Sequence, residues 1–441
     1  MAESAFNFLQ HWYPIAPLED LDPKRPTPVT ILGHRLVVWK PTNSEQYRVF
    51  LDQCPHRLAP LSEGRVDQET GNLTCSYHGW QFNPEGECTN IPQAENPDLI
   101  AKNKQNFCVV TLPIQQVNDL LWVWLDEKSA DLAAATPLPL SPSIDASKGF
   151  VWSSMVRDLE YDWQTLVENV ADPSHVPFAH HGVQGNRKQA QPIPLEITQS
   201  TPDLIETVIN KGFKTRITFE PPCRLEYAME FPGDKKIGLV VYCVPVAPGK
   251  SRIVGQFPRN FAKTLHNIIP RWWDHIQNRN LVLDGDMVLL HYQEHRLQES
   301  QSTQSWKTAY KMPTSADRLV IEFRHWFEKY CQGKLPWEQT VVKALEQPLV
   351  NREVLLDRYK QHTMICESCS GALKNVQRSQ IALIGYFAVS VATVAAMPDN
   401  LRVSIGLPLI ALALVGLGGY AWLKFWLEPK FYFVDYVHSD K

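Results

Sequence analysis

Two short strings early in the chain carry metal donors in a repeated pattern: Cys54-Pro-His56 and Cys75-Ser-Tyr-His78. Each supplies one thiolate and one imidazole. Residues 57–74 separate them, a length that suits two loops brought together from a β scaffold, with Gly64, Gly71 and Gly79 available for tight turns. Two Cys on one iron and two neutral His on the other make the ligand set of a Rieske [2Fe–2S] cluster, whose potential the imidazoles raise above that of an all-Cys cluster. A Cys2His2 zinc site is the competing reading, but the helical His-x3-5-His half of a zinc finger is missing. The chain has nine cysteines, an odd number, so metal binding explains these two better than disulfides and a reducing compartment fits.

A second donor group lies in Asn169-Val-Ala-Asp172-Pro-Ser-His175-Val-Pro-Phe-Ala-His180. Activation of O2 by Fe(II) suits two His and one carboxylate on one face of the metal, leaving positions open. On an ideal helix, residues five apart point about 140° away from each other, so His175 and His180 converge only if the helix breaks between them. Pro177 is expected to supply the break. Asp172 and His175 share a helix face, so the Asp172 carboxylate can hold a ring N–H of that ligand. Taken alone His-x4-His is a weak pattern, and His181 adjoins as an alternative to His180. Beside a cluster site it gains weight.

The flanking residues Cys54-Pro-His56-Arg57-Leu58-Ala59-Pro60-Leu61-Ser62-Glu63-Gly64 and Tyr77-His78-Gly79-Trp80 resemble the pheophorbide a oxygenase family of Rieske non-haem iron oxygenases. The resemblance covers nearly the whole chain. It implies a third iron ligand on a later helix, an Asp followed by an apolar run and a Gln. The string Leu283-Asp284-Gly285-Asp286-Met287-Val288-Leu289-Leu290-His291-Tyr292-Gln293 offers two choices, of which Asp286 is favoured because it directly precedes the apolar run, while Asp284 beside Gly285 looks like a local cap. By the same resemblance Asn169 and Asp172 are catalytic, Asp172 linking the cluster of a neighbouring subunit to the iron in a homotrimer. The resemblance further implies a ferredoxin as the electron donor and a hydrophobic planar chlorin such as pheophorbide a as the substrate. Cys366-Glu-Ser-Cys369 resembles the family's Cys-x-x-Cys and is a redox-switch candidate, with two unpaired thiols as the plain alternative. A linear tetrapyrrole or another lipophilic substrate, or a membrane-anchored electron carrier, remain as other readings. Respiratory and photosynthetic carriers are disfavoured, since no Cys lies between Cys54 and Cys75 to brace the cluster loops.

These residues require particular elements around them. Short alternating runs at 29–31, 35–39, 47–51 and 109–113, cut by Gly, Pro and Asn, predict a small all-β domain over 8–128. A Pro/Ser/Ala-rich stretch at 130–147 marks the boundary. Beyond it a helix at 158–171, strands between 204 and 257, and helices at 271–297, 316–331 and 337–349 predict an α+β catalytic domain over 129–365, for which the family resemblance implies a helix-grip-like form. Residues 366–441 hold the Cys pair and two nearly uncharged runs, 381–397 and 403–422, each close to the ~20 residues that cross a bilayer. A buried hairpin is the alternative. Lys374 and Arg378 before the first run and Lys424 and Lys430 after the second place both ends on the cytoplasmic side.

With 43 basic and 47 acidic residues and no long single-sign run, the chain offers no nucleic-acid surface. Fourteen Trp supply flat apolar area, most of it expected in the core. Residues 1–10 resemble neither a secretory signal nor a transit peptide, a departure from plastid members that points to a cyanobacterial relative.

Overall fold

Short runs rich in Val, Ile, Leu and Trp build ten strands in the first part of the chain. The computed structural model describes residues 6–96, 102–301, 305–337 and 348–440. The strands are β1 (Trp12–Pro17), β2 (Thr27–Ile31), β3 (His34–Trp39), β4 (Arg48–Leu51), β5 (Arg65–Val66), β6 (Leu73–Thr74), β7 (Gln81–Phe82), β8 (Cys88–Asn90), β9 (Ile114–Val117) and β10 (Leu120–Trp124). They pair as three small antiparallel sheets ordered β1-β10-β9, β2-β3-β4 and β5-β6-β7-β8. Trp39, Phe50, Leu61, Leu73 and Phe82 are all buried in one core beneath the third sheet. The strand expected at 109–113 is reduced to a single bridge from Thr111 to Phe50. Pro113 has no N–H to continue a ladder, and pairing resumes at Ile114.

Seven further strands, β11 (Ser154–Leu159), β12 (Leu195–Ser200), β13 (Ile205–Ile209), β14 (Lys214–Glu220), β15 (Arg224–Phe231), β16 (Lys235–Ala247) and β17 (Lys250–Gln256), form one antiparallel sheet ordered β11-β17-β16-β15-β14-β13-β12. In β14 the period of two is visible: Thr215, Ile217 and Phe219 are buried and their neighbours are not. The helix Arg318–Cys331 lays Phe323 and Phe327 within 5.6 Å (centroid to centroid) of Trp163, and Phe323 meets Phe219 edge-on at 5.4 Å. The helix expected at 158–171 is shorter than predicted. Residues 154–159 belong to β11, and helix Trp163–Ala171 begins only where the Asp162 side chain accepts the Gln164 N–H and caps it. The helix expected at 337–349 lies largely outside the described residues.

The chain forms two compact units, Met1–Ile268 with Leu289–Pro348, and Ile269–Val288 with Leu349–Lys441. All four sheets belong to the first. The second holds helix Glu367–Ala396 and the helical run Asp399–Phe431, both long and apolar enough to cross a membrane, with only 11% of the most apolar window of each buried. The expected apolar runs fall inside them, and Pro408 follows directly on the π-turn Arg402–Gly406 within the second run, where the backbone ladder is already displaced. Near the open end of the hairpin Glu428 accepts from Gln380 (2.9 Å) and Lys424 (2.9 Å), tying the two helices together. The architecture is α+β, with an N-terminal Rieske-type β part, a larger sheet-and-helix part and a C-terminal apolar hairpin.

Candidate cluster and iron sites

Each cluster loop folds back on its own cysteine. The Cys54 N–H donates to Ala59 O and the Leu58 N–H to Cys54 O, both at 2.8 Å; the Cys75 N–H donates to Trp80 O at 2.8 Å and the Gly79 N–H to Cys75 O at 3.0 Å. Gly79 has φ +73°, which a side chain would strain. The two loops are joined where Ser76 Oγ donates to Glu63 O at 2.7 Å. At Gly64 the backbone is so crowded that a Cβ would lie 2.4 Å from Thr74 O, so any other residue would force the main chain to shift. Asp52 braces the first loop by accepting from the Ser62 N–H (2.7 Å) and hydroxyl (2.8 Å).

These turns bring the four predicted donors together. Cys54 and Cys75 are buried free thiols, whereas His56 is exposed and His78 partly so. The two imidazoles meet at 4.5 Å between centroids and 71° between planes, and Trp80 stacks on His56 at 4.7 Å. Burial, with Cys75 alongside, pushes the Cys54 thiol up to about 12. A cation is therefore needed to draw the Cys54 sulfur into the thiolate form at neutral pH, and the donor set fits a [2Fe–2S] cluster. Leu58 and Tyr77, in the same two loops as the imidazoles, stand exposed.

The second donor group is built around a chain break. Helix Trp163–Ala171 ends at Asp172, and Val176–Ala179 is a single separate turn with His175 and His180 at its two ends. The break thus precedes His175 instead of falling at Pro177, which sits harmlessly in the first turn. One short turn, with His175 in the helical region before it and His180 out of that region after it, sets the two Nε2 atoms 3.2 Å apart, with rings at 81°. The Asp172 contact also differs from expectation. Its backbone carbonyl lies 2.5 Å from His175 Nδ1, while its carboxylate is 3.8 Å from that nitrogen and accepts from the Ser174 N–H (2.7 Å) and hydroxyl (2.6 Å). A carbonyl can only accept, so His175 carries its proton on Nδ1 and presents an Nε2 lone pair. His181 uses Nδ1 to accept the Arg187 N–H at 3.2 Å and is engaged by the following loop. Asn169 lies half-buried in the last turn of the helix.

Several contacts hold this segment, and none was evident from motifs. Tyr227 donates to Val170 O at 2.7 Å and Trp163 Nε1 to Pro222 O at 3.1 Å, pinning the helix to the large sheet. Buried Arg324 pairs with Glu168 and donates to Gln164 Oε1 at 2.9 Å. Gly185 approaches so closely that a Cβ would lie 2.1 Å from Val176 O. From helix Asn280–Gln301, Glu294 accepts the Asp162 N–H at 2.5 Å; burial lifts Glu294 to about 8. In the other unit the same helix carries Asp284 and Asp286, both buried. Asp284 is no local cap: it lies within the helix, and Arg358, itself wholly buried, donates to it through Nε at 2.7 Å. Cys366 and Cys369 are buried thiols at the start of helix Glu367–Ala396.

The family model for pheophorbide a oxygenase matches residues 219–304, and that for the Rieske [2Fe-2S] domain matches residues 11–113. Over 462 aligned residues the chain is 38% identical to the chloroplastic pheophorbide a oxygenase of Oryza sativa subsp. japonica, an alignment spanning 100% of this chain and 86% of that protein. For the chloroplastic pheophorbide a oxygenase of Arabidopsis thaliana the identity is 37%, with 99% and 85% covered. The fold is shared with dicamba monooxygenase bound to 3,6-dichlorosalicylic acid, at TM-score 0.59 and 19% identity, covering 76% of this chain and 100% of that one. With a Rieske [2Fe–2S] domain and full-length identity of this degree, the chain belongs to the pheophorbide a oxygenase family of Rieske non-haem iron oxygenases.

Proposed function

We propose that this oxygenase takes electrons from a ferredoxin and oxygenates a chlorophyll-derived chlorin such as pheophorbide a at a membrane surface. The observation that carries the reading is the His175–His180 pair, its Nε2 atoms turned to one point, on the same chain as the Cys54, His56, Cys75 and His78 quartet. Residues 8–128 form the cluster domain, 129–365 the catalytic domain and 366–441 the anchor, with both chain ends cytoplasmic and the subunits in a homotrimer. His175, His180 and, as the family resemblance implies, Asp286 would hold the iron, a set of the two-His, one-carboxylate kind. The ion pair of Asp284 with Arg358 supports Asp286 as the carboxylate of the two for the metal. When bound, the iron would supply O2 activation and the cluster single electrons. The protein's own part is positional. The Asp172 carbonyl fixes the His175 tautomer, Ser174 ties down the Asp172 carboxylate, and Asn169 closes the helix from which both follow. Exposed His56, with Leu58 and Tyr77 exposed in the same two loops, offers the donor protein an edge of the cluster.

A panel of chlorins supplied with ferredoxin, its reductase and isotopically labelled O2 tests the substrate. Label is expected in the product from pheophorbide a or a close chlorin; incorporation into no chlorin rules out the pigment reading. His175→Ala is expected to retain the [2Fe–2S] spectrum while lowering O2-dependent turnover by at least about 100-fold, more than disturbing a residue behind the ligands would do. Unchanged turnover removes His175 from the iron site.

A further inference from the structure

The second unit contains a buried cluster that the oxygenase chemistry leaves unused. His275, His362, Cys366 and Cys369 are each 1% exposed or less, and one donor atom from each lies within 4.8 Å of all the others. His275 Nδ1 and His362 Nε2 are 3.1 Å apart. Cys366 Sγ is 3.6 Å and Cys369 Sγ 3.7 Å from His275 Nδ1, and Cys369 Sγ is 3.4 Å from His362 Nε2. Tetrahedral zinc, with Zn–N near 2.0–2.1 Å and Zn–S near 2.3 Å, holds its ligand atoms about 3.3 Å apart from N to N and about 3.6 Å from N to S. The observed separations follow those edges. We propose that these four residues bind a structural zinc ion.

The local chain is arranged for that role. The spacing His362-x3-Cys366-x2-Cys369 wraps one turn around a common point, with the Cys366 N–H donating to His362 O at 2.9 Å. Cys366 precedes helix Glu367–Ala396 and Cys369 lies in its first turn, where the helix N-terminus favours thiolates. Arg271 donates to Cys366 Sγ at 2.9 Å from outside the quartet, and Trp272, Trp273, Ile276 and Leu427 pack around it. With four protein ligands and no exposed edge, no position remains for water or substrate, which is the pattern of a structural and not a catalytic zinc. His275 leads into helix Asn280–Gln301, and the other three ligands lead into the first apolar helix. Zinc would thus staple the segment that carries Asp284 and Asp286 to the base of the hairpin. In this setting Cys366 and Cys369 are zinc ligands and not a freely closing dithiol.

The experiment is metal analysis of the full-length protein purified in detergent from cells grown with zinc and iron, combined with zinc-edge X-ray absorption. About one zinc per chain that survives dialysis against EDTA is expected, with two sulfur and two nitrogen neighbours. Cys369→Ser and His362→Ala are each expected to lower zinc at least 10-fold. Zinc below about 0.1 per chain in the unmutated protein, iron in its place, a shell of oxygen and nitrogen only, or a Cys366–Cys369 disulfide in freshly isolated protein would each overturn the proposal. The unmutated protein alone decides this if the variants do not fold. Zinc content is read without turnover, so it stands or falls separately from the substrate assignment.

Discussion

The molecule has two quartets of the same composition, two Cys and two His, and they differ in everything that composition does not specify. In the first, both thiols are buried but His56 is exposed and His78 partly so, and the donors hang from two loops of a small β scaffold. In the second, all four residues are buried, and single donor atoms crowd within one ion's reach. An electron carrier needs an edge close to its partner, whereas a structural ion is best shielded from ligand exchange. Exposure and donor spacing, not residue type, separate the two roles.

The sharpest way to break that separation is Cys75→Ala. It is expected to remove the Rieske spectrum and lower turnover by more than about 100-fold, beyond the effect of changing residues behind a metal, while zinc stays at one per chain. Iron and zinc quantified in the same sample check it; if zinc falls together with the cluster, the quartets are not independent. Next in size is Arg358→Met, which strands the Asp284 carboxylate in the buried region that precedes His362. Breaking such a pair costs about 3–5 kcal/mol, whereas removing both charges is often nearly neutral. Thermal unfolding should therefore show a large loss for Arg358→Met and recovery for Arg358→Met with Asp284→Leu; no loss in the single variant contradicts a closed, dry second site. The smallest effect belongs to the open quartet. Leu58→Ser changes a residue that is 69% exposed, so stability should shift by less than about 0.5 kcal/mol. The ferredoxin KM should rise about 2- to 5-fold, in keeping with a contact at the margin of an interface. An unchanged KM would place donor docking elsewhere.

Legibility followed distance along the chain. Cys54, His56, Cys75 and His78 lie within two loops, so their spacing alone carried the cluster, and Gly64 and Gly79 could be anticipated as turn residues. The His175–His180 pair was legible as a pattern, but its geometry was not. Pro177 looked like the break, yet the helix had already ended at Asp172, and a backbone carbonyl took the place expected of the Asp172 carboxylate. Asp284 could not be set aside from local sequence, because its partner Arg358 is 74 residues away. The second quartet was half visible. Cys366 and Cys369 read as a possible thiol pair, while His275, 87 residues before His362, gave no signal.

What the amino-acid sequence determined by itself was the cluster chemistry, the family, the β and α+β character of the two main parts and the apolar hairpin. The family rests on resemblance along nearly the whole chain, the others on spacing or periodicity within a few dozen residues. Tertiary structure alone decided which carboxylate is neutralised by Arg358, which nitrogen of His175 is protonated, and that Cys366 and Cys369 meet two histidines. Those outcomes depend on burial and on atoms from distant segments meeting within about 4 Å, where the loss of water makes a charge or a lone pair commit to a partner.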